Sequence, residues 1–331
     1  MSRTGADSRL IDTHAHWVTP AYVSELRRLG GEGIVDPIWG ERFAGGSISS
    51  PGAGELLSSM DQAGIGTAVV SIPPPGIHGR DVGEANPAAA ALVNDELVSL
   101  AESAGDRFRV WLTLPMPDPR ASMNEIERLG RHPLVVGVGL YSHSRPWCLD
   151  QPDFEPMFRL LVDHGLVAQL HPSFEAPEPR FAPFALGGSL DAVYVNGLVA
   201  ARLIYSGLFD RVPQSRLLVT HLGGTLPFLA QRIHDMSGPS ANAHHDIFHY
   251  CRTNLWYDNC SYHTPALACT ADSFGPDRVV LGSDFPFRGP IMRCVDDIRR
   301  GGFDARTEEA MSSTTARHLF PRDRPPKPRT G

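Results

Sequence analysis

Eight short apolar runs with helical patterns between them make a single (β/α)₈ barrel the expected architecture of this 331-residue chain. The runs are RLIDTHAH (9–16), GTAVVSIP (66–73), RFRVWLTLP (107–115) and LVVGVGLY (134–141), then LVAQLHPS (166–173), RLLVTHLGG (216–224), LWYDNCS (255–261) and RVVLGSDFP (278–286). Their nearly unbroken apolar character suits parallel strands covered on both faces better than half-exposed antiparallel ones. An open doubly wound sheet is the competing architecture. It would need a glycine-rich phosphate loop after the first strand, where the chain instead reads DTHAHWVTP.

In chain order, the first run leads into a glycine-rich insertion over 17–53. Segment 54–64 has apolar residues at helical spacing and stops at Gly64, a C-cap candidate. The longest helical pattern spans 86–105 and also ends in glycine, and 153–165 starts with an acidic N-cap candidate and stops at Gly165. A second, lid-like loop is expected over 174–190. Both insertions follow strands, which places them at the catalytic face of a barrel. One domain is expected over 1–320, followed by a proline-rich tail at 321–331.

Composition excludes several kinds of chemistry. The formal net charge of −7 argues against nucleic acid or an anionic membrane as partner. No window is long and apolar enough to span a bilayer, and MSRTGADSRL lacks the apolar centre of a signal peptide, so a cytoplasmic location is expected. Five scattered cysteines (Cys148, Cys251, Cys260, Cys269, Cys294) form no C-x-x-C pair, and buried free thiols are the expected state. Lys327, in the tail, is the sole lysine. A Schiff-base lysine, a phosphate-loop lysine and a carboxylated lysine bridging two metals are therefore excluded, so any metal site should hold one ion.

The polar residues ending the apolar runs carry the functional signal. His14 and His16 are two apart on a strand, so both imidazoles can reach one ion. His171 ends the fifth run, His221 the sixth and Asp284 the eighth. Strand ends of a closed barrel converge on one face, so these five residues can meet despite their separation. Neutral imidazoles suit zinc or a similar divalent metal. Trp39 and Phe181 fall in the insertions and are candidates for lining a pocket. Four histidines at 234–249 lie beyond the sixth strand end and read as a surface or subunit contact.

The series H-x-H, His171-Pro-Ser, His221-Leu-Gly-Gly-x-x-Pro-Phe and Gly282-Ser-Asp-Phe-Pro-Phe resembles the amidohydrolase superfamily. Within it, the resemblance is to the branch typified by aminocarboxymuconate-semialdehyde decarboxylase, and it runs from Asp12 to about Phe320. It implies His14, His16, His171 and Asp284 as ligands of one divalent metal, with zinc favoured by His-x-His and manganese as the alternative. It further implies His221 beside that shell as an acid–base partner of Asp284. Arg42 and Arg232 would bind a carboxylate, Arg232 reaching across a homodimer interface. The implied activity is non-oxidative decarboxylation of a small unsaturated or aromatic carboxylic acid. A hydrolase or hydratase on the same scaffold, attacking a lactone, an amide or an activated double bond, is the alternative.

Overall fold

A computed structural model describes residues 9–28, 53–77, 86–142, 149–173, 181, 184, 186–237 and 242–320. Eight parallel strands form one sheet in the order β1 to β8. They are β1 (Leu10–His16), β2 (Ile65–Ser71), β3 (Phe108–Thr113), β4 (Val135–Tyr141), β5 (Val167–His171), β6 (Leu217–Val219), β7 (Leu255–Asp258) and β8 (Val279–Val280). The ends of the sheet meet: Thr13 N–H donates to the Leu281 carbonyl at 2.9 Å and Ala15 bridges Phe285. The result is a (β/α)₈ barrel, as the alternating runs predict.

Two layers of apolar residues explain why the barrel closes. Ile11, Val69, Trp111, Val136, Val167, Leu218, Trp256 and Val280, one from each strand, pack together with Ala316, Leu319 and Phe320. This is the inward face, plugged at the N-terminal end of the barrel by the helix Thr315–Leu319. The alternate strand residues, such as Ala68, Val70, Val110, Leu112, Ala168 and Leu170, face the surrounding helices in a separate cluster. Inward alternation with period two sets which residues can reach the mouth.

Helices Ala53–Ala63, Pro87–Ser103 and Glu155–Asp163 fall where the sequence patterns place them. The stretch read as the first insertion begins with a helix, Pro20–Arg28. Proline at its first position suits a helix start, and Tyr22 and Leu26, one turn apart, are its buried residues. β6 and β8 are shorter than the apolar runs containing them, because the chain leaves the sheet before His221 and Asp284.

Candidate metal centre and active site

Strict alternation does not carry His14 and His16 into the barrel. Ile11 points inward and Ala15 packs outward, although the two are four apart. A register shift between Asp12 and Ala15 resolves this: a bulge in β1 changes the parity, so the histidines flanking Ala15 point in. On the other side, His221 and Asp284 adopt left-handed backbone conformations, with φ of 59° and 51°. Such conformations cost non-glycine residues about 1–2 kcal/mol and persist where surrounding contacts hold them. Those contacts are in place. Asp258 Oδ1 accepts from the His221 amide at 2.8 Å. Asp12 accepts from the Ser283 amide at 3.0 Å and its hydroxyl at 2.6 Å.

The candidate donor atoms of His14, His16, His171 and Asp284 all lie within 4.8 Å of one another, and all four residues are buried. His16 Nε2 is 3.1 Å from His14 Nε2 and 3.2 Å from His171 Nε2. Asp284 Oδ1 is 3.1 Å from His16 Nε2, 3.5 Å from His14 Nε2 and 4.0 Å from His171 Nε2. A tetrahedral ion with ligand bonds of about 2.0–2.1 Å separates its donors by roughly 3.3–3.4 Å.

The tautomers decide what fills this space. His14 Nδ1 faces Asp258 Oδ2 at 2.8 Å, and His171 Nδ1 faces the Pro172 carbonyl at 2.7 Å. Both partners only accept, so both Nδ1 atoms carry hydrogen and both Nε2 atoms present lone pairs. His16 Nδ1 meets the Ser71 hydroxyl at 3.0 Å, and one proton on its Nε2 could satisfy only one of its neighbours. Converging lone pairs and a carboxylate need a cation, and the donor set fits a single divalent metal.

Electrostatics agrees. Burial pushes His16 down and His171 down to about 3, so both stay neutral, the form that ligates metal. Burial also lowers His14, but the Asp258 carboxylate outweighs it and shifts the ring upward. Burial opposes ionisation of Asp284, yet the surrounding imidazoles of His16, His171, His221 and His14 hold it well below the usual carboxylate range. The pocket therefore attracts positive charge.

His221 stands beside this set. Its Nε2 is 3.4 Å from Asp284 Oδ2, and its Nδ1 is 2.9 Å from Thr220 Oγ1. Arg288 Nε approaches the same Asp284 oxygen at 3.4 Å. Five of the residues singled out by sequence thus come together. Phe181 is half-buried, and Arg232 is exposed on helix Leu226–Ser237 with no ion pair or hydrogen bond to the cluster. Trp39 and Arg42 lie outside the described residues. Sequence reading did not single out Asp258, Ser71 or Asp12. Asp258 and Ser71 end strands just as the histidines do, so the same rule could have found them.

A closed parallel barrel whose mouth gathers three imidazoles and a carboxylate defines a metal-binding barrel protein of the enzyme type. A family model described as amidohydrolase matches residues 11–321, and the chain belongs to that family. A γ-resorcylate decarboxylase from Rhizobium sp. (strain MTP-10005) is 25% identical over 283 residues, covering 81% of this chain and 86% of the relative. A 6-methylsalicylic acid decarboxylase from Penicillium expansum is 26% identical over 327 residues, covering 94% and 96%. Among solved structures, a 5-carboxyvanillate decarboxylase from Novosphingobium aromaticivorans DSM 12444, complexed with manganese and 4-hydroxy-3-methoxy-5-nitrobenzoic acid, superposes with a TM-score of 0.82. It shares 23% identity and covers 96% of each chain.

Proposed function

We propose that this protein is a metal-dependent, non-oxidative decarboxylase of a small aromatic carboxylic acid bearing a ring hydroxyl. The observation that carries the reading is a one-ion donor set with a His221–Asp284 pair against it, in a chain whose relatives are decarboxylases. His14, His16, His171 and Asp284 hold the ion. A divalent ion there supplies positive charge that fixes substrate oxygens and draws electron density from the ring. Zinc is our choice because three of the four donors are imidazoles, and manganese is the alternative.

The rest of the chemistry belongs to side chains. Asp258, Ser71 and the Pro172 carbonyl fix the rings of His14, His16 and His171. The His221–Asp284 pair delivers a proton to the ring carbon bearing the carboxylate. The carbon–carbon bond then breaks, its electrons stay with that carbon, carbon dioxide leaves, and the new C–H bond keeps the enzyme's proton. In deuterium oxide the product should carry one deuterium at that carbon, with one equivalent of carbon dioxide released. Turnover of lactones or amides without carbon dioxide would replace this reading with a hydrolase.

We also propose a homodimer built on one apolar face. Seven of the eight large apolar residues exposed among the described residues lie between 184 and 236. Leu186, Leu190, Tyr194 and Leu198 recur every four residues, as do Phe228, Arg232 and Met236. Phe184 and Phe228 are 93% and 83% exposed. Aromatic side chains bury about 150–250 Å² each, so these two supply about half of the ~800 Å² per partner that a stable interface needs. Arg232, between Phe228 and Met236, would then be carried to the second copy's mouth. Inactive Arg232→Ala and His221→Ala proteins, mixed under subunit exchange, should regain activity. No helix of the described residues is long and apolar enough to cross a membrane, and the free thiols of Cys251, Cys260, Cys269 and Cys294 suit a reducing cytoplasm.

A further inference from the structure

The β3–β5 sector of the barrel mouth holds a row of polar side chains that none of the described residues satisfies. Thr113 pairs in register with Gly139, and Gly139 with Gln169, so these three residues sit side by side on adjacent strands. One inward position further along, Tyr141 pairs with His171. All five positions face inward: Thr113 stands two residues after Trp111, Gln169 lies between Val167 and His171, and in β4 a register shift after Val135 moves the inward face from Val136 to Gly137, against Trp111, then Gly139 and Tyr141. The Thr113 hydroxyl and the Gln169 amide nitrogen are buried and have no hydrogen-bond partner among the described residues. The same holds for the hydroxyls of Ser142, just after β4, and Ser173, two residues after His171. The Ser142 amide donates to the His171 carbonyl at 2.9 Å, which places this group beside a candidate metal ligand.

Gly139 leaves room between them. Where a Cβ would stand, the nearest non-bonded atom is the Leu112 carbonyl oxygen, 3.8 Å away. At Gly137, one layer deeper, the Trp111 ring and the Val167 carbonyl fill the corresponding space at 2.4 and 2.0 Å. The hollow therefore starts above Trp111 and opens at the level of Gly139, one pleat (about 6.6 Å) below His171. Buried polar groups without partners cost about 1–3 kcal/mol each, so several in one sector, around open space, point to an oxygen supplied from outside.

We propose that Thr113 and Gln169, flanking Gly139, form the subsite that selects the ring substituent of the substrate, and that the group it accepts is a neutral hydroxyl. This rests on the reading that the site binds an aromatic carboxylic acid. The Gln169 amide donates and the Thr113 hydroxyl donates or accepts, so together they satisfy both the lone pair and the hydrogen of a phenol. Neither carries a charge, which disfavours a second carboxylate at this place.

Binding without turnover tests the assignment. Benzoate and its 2-, 3- and 4-hydroxy isomers would be titrated calorimetrically into metal-loaded wild type and into Thr113→Val, Gln169→Leu and Gly139→Ala. For one hydroxy isomer Thr113→Val and Gln169→Leu should each weaken binding about tenfold, the effect of one lost hydrogen bond, and Gly139→Ala should do so by filling the hollow, while benzoate affinity stays within twofold. Equal losses for every ligand, or unchanged affinities, would overturn the assignment and leave a sector that holds at most an ordered water. So would a wild type that does not distinguish the isomers from benzoate. Carbon dioxide release by wild type is scored separately, so a decarboxylase with an indifferent sector can be told from a protein that is no decarboxylase. Melting temperatures identify any variant that is merely misfolded.

Discussion

Replacing Asp258 by asparagine exchanges one oxygen for an NH₂ and should weaken the metal site through a residue that is not among the four donors. Asp258 is fully buried; Oδ2 accepts from His14 Nδ1 at 2.8 Å, and Oδ1 accepts from the amides of His221 at 2.8 Å and Cys260 at 3.0 Å. In Asp258→Asn the amide oxygen can keep the two backbone contacts, which leaves the NH₂ facing the His14 N–H. Two donors cannot share that space. The ring must move its hydrogen to Nε2, which removes the lone pair aimed at the ion, or swing away from the ion. Loss of such an outer partner lowers metal affinity about 10- to 100-fold, or roughly 1.4–2.7 kcal/mol. Competition with a chromophoric chelator measures this directly, and the metal-free melting temperature reports folding separately. An Asp258→Asn protein that folds normally and binds the ion within twofold of wild type would refute the role assigned to His14.

Other outcomes follow from the same site and fold. Chelation should abolish activity and lower the melting temperature, because converging lone pairs and the Asp284 carboxylate then face each other unshielded; adding back one equivalent of divalent ion should restore both. Unchanged activity at verified zero metal would end the metal reading. Gly137→Ala should cost about 3 kcal/mol or more, or prevent soluble expression, since a Cβ would stand 2.0 Å from the Val167 carbonyl. Gly54→Ala, in a helix with nothing within 4 Å, should instead gain about 0.5–1 kcal/mol in denaturant unfolding. Hydrogen bonds from Arg211 and Arg159 lower the Glu155 pKa, so its stabilisation is complete above the usual glutamate range and fades as pH falls through the folded value. Glu155→Gln should cost about 0.5–1 kcal/mol near neutrality, and thermal melts should converge with wild type in acid; a pH-independent difference would contradict this.

Much of the barrel and the core of the site is legible because both depend on short-range pattern. Eight apolar runs give eight strands, and His14, His16, His171 and Asp284 are readable as the polar residues that end them. Asp258 obeys the same rule, but an aspartate before Asn259 at a strand end also reads as turn chemistry. The bulge in β1 and the left-handed backbones of His221 and Asp284 were not readable. Alternation says which residues share a face, whereas these irregularities change the face, and contacts distant in sequence stabilise them, Asp258 with His221 across 37 positions and Asp12 with Ser283 across 271. Helix Pro20–Arg28 was obscured by the glycines that follow it, although Tyr22 and Leu26 already marked its buried stripe. Arg232 shows the opposite limit: it is exposed on helix Leu226–Ser237, away from the cluster, and the role expected of it rests on the proposed homodimer.

The plug formed by Ala316, Leu319 and Phe320 has a consequence for how the molecule is made. Phe320 packs edge-on against Trp111 at the bottom of the barrel, 5.4 Å between ring centres, and Ile11 belongs to the same cluster. On a ribosome, all eight strands emerge before the residues that dry their common interior. A nascent chain halted short of residue 316 would carry every metal donor and every strand yet leave the barrel floor wet. Acquisition of protease resistance should therefore be a late, single event in synthesis, and chains arrested at successive lengths would locate it to within a helical turn.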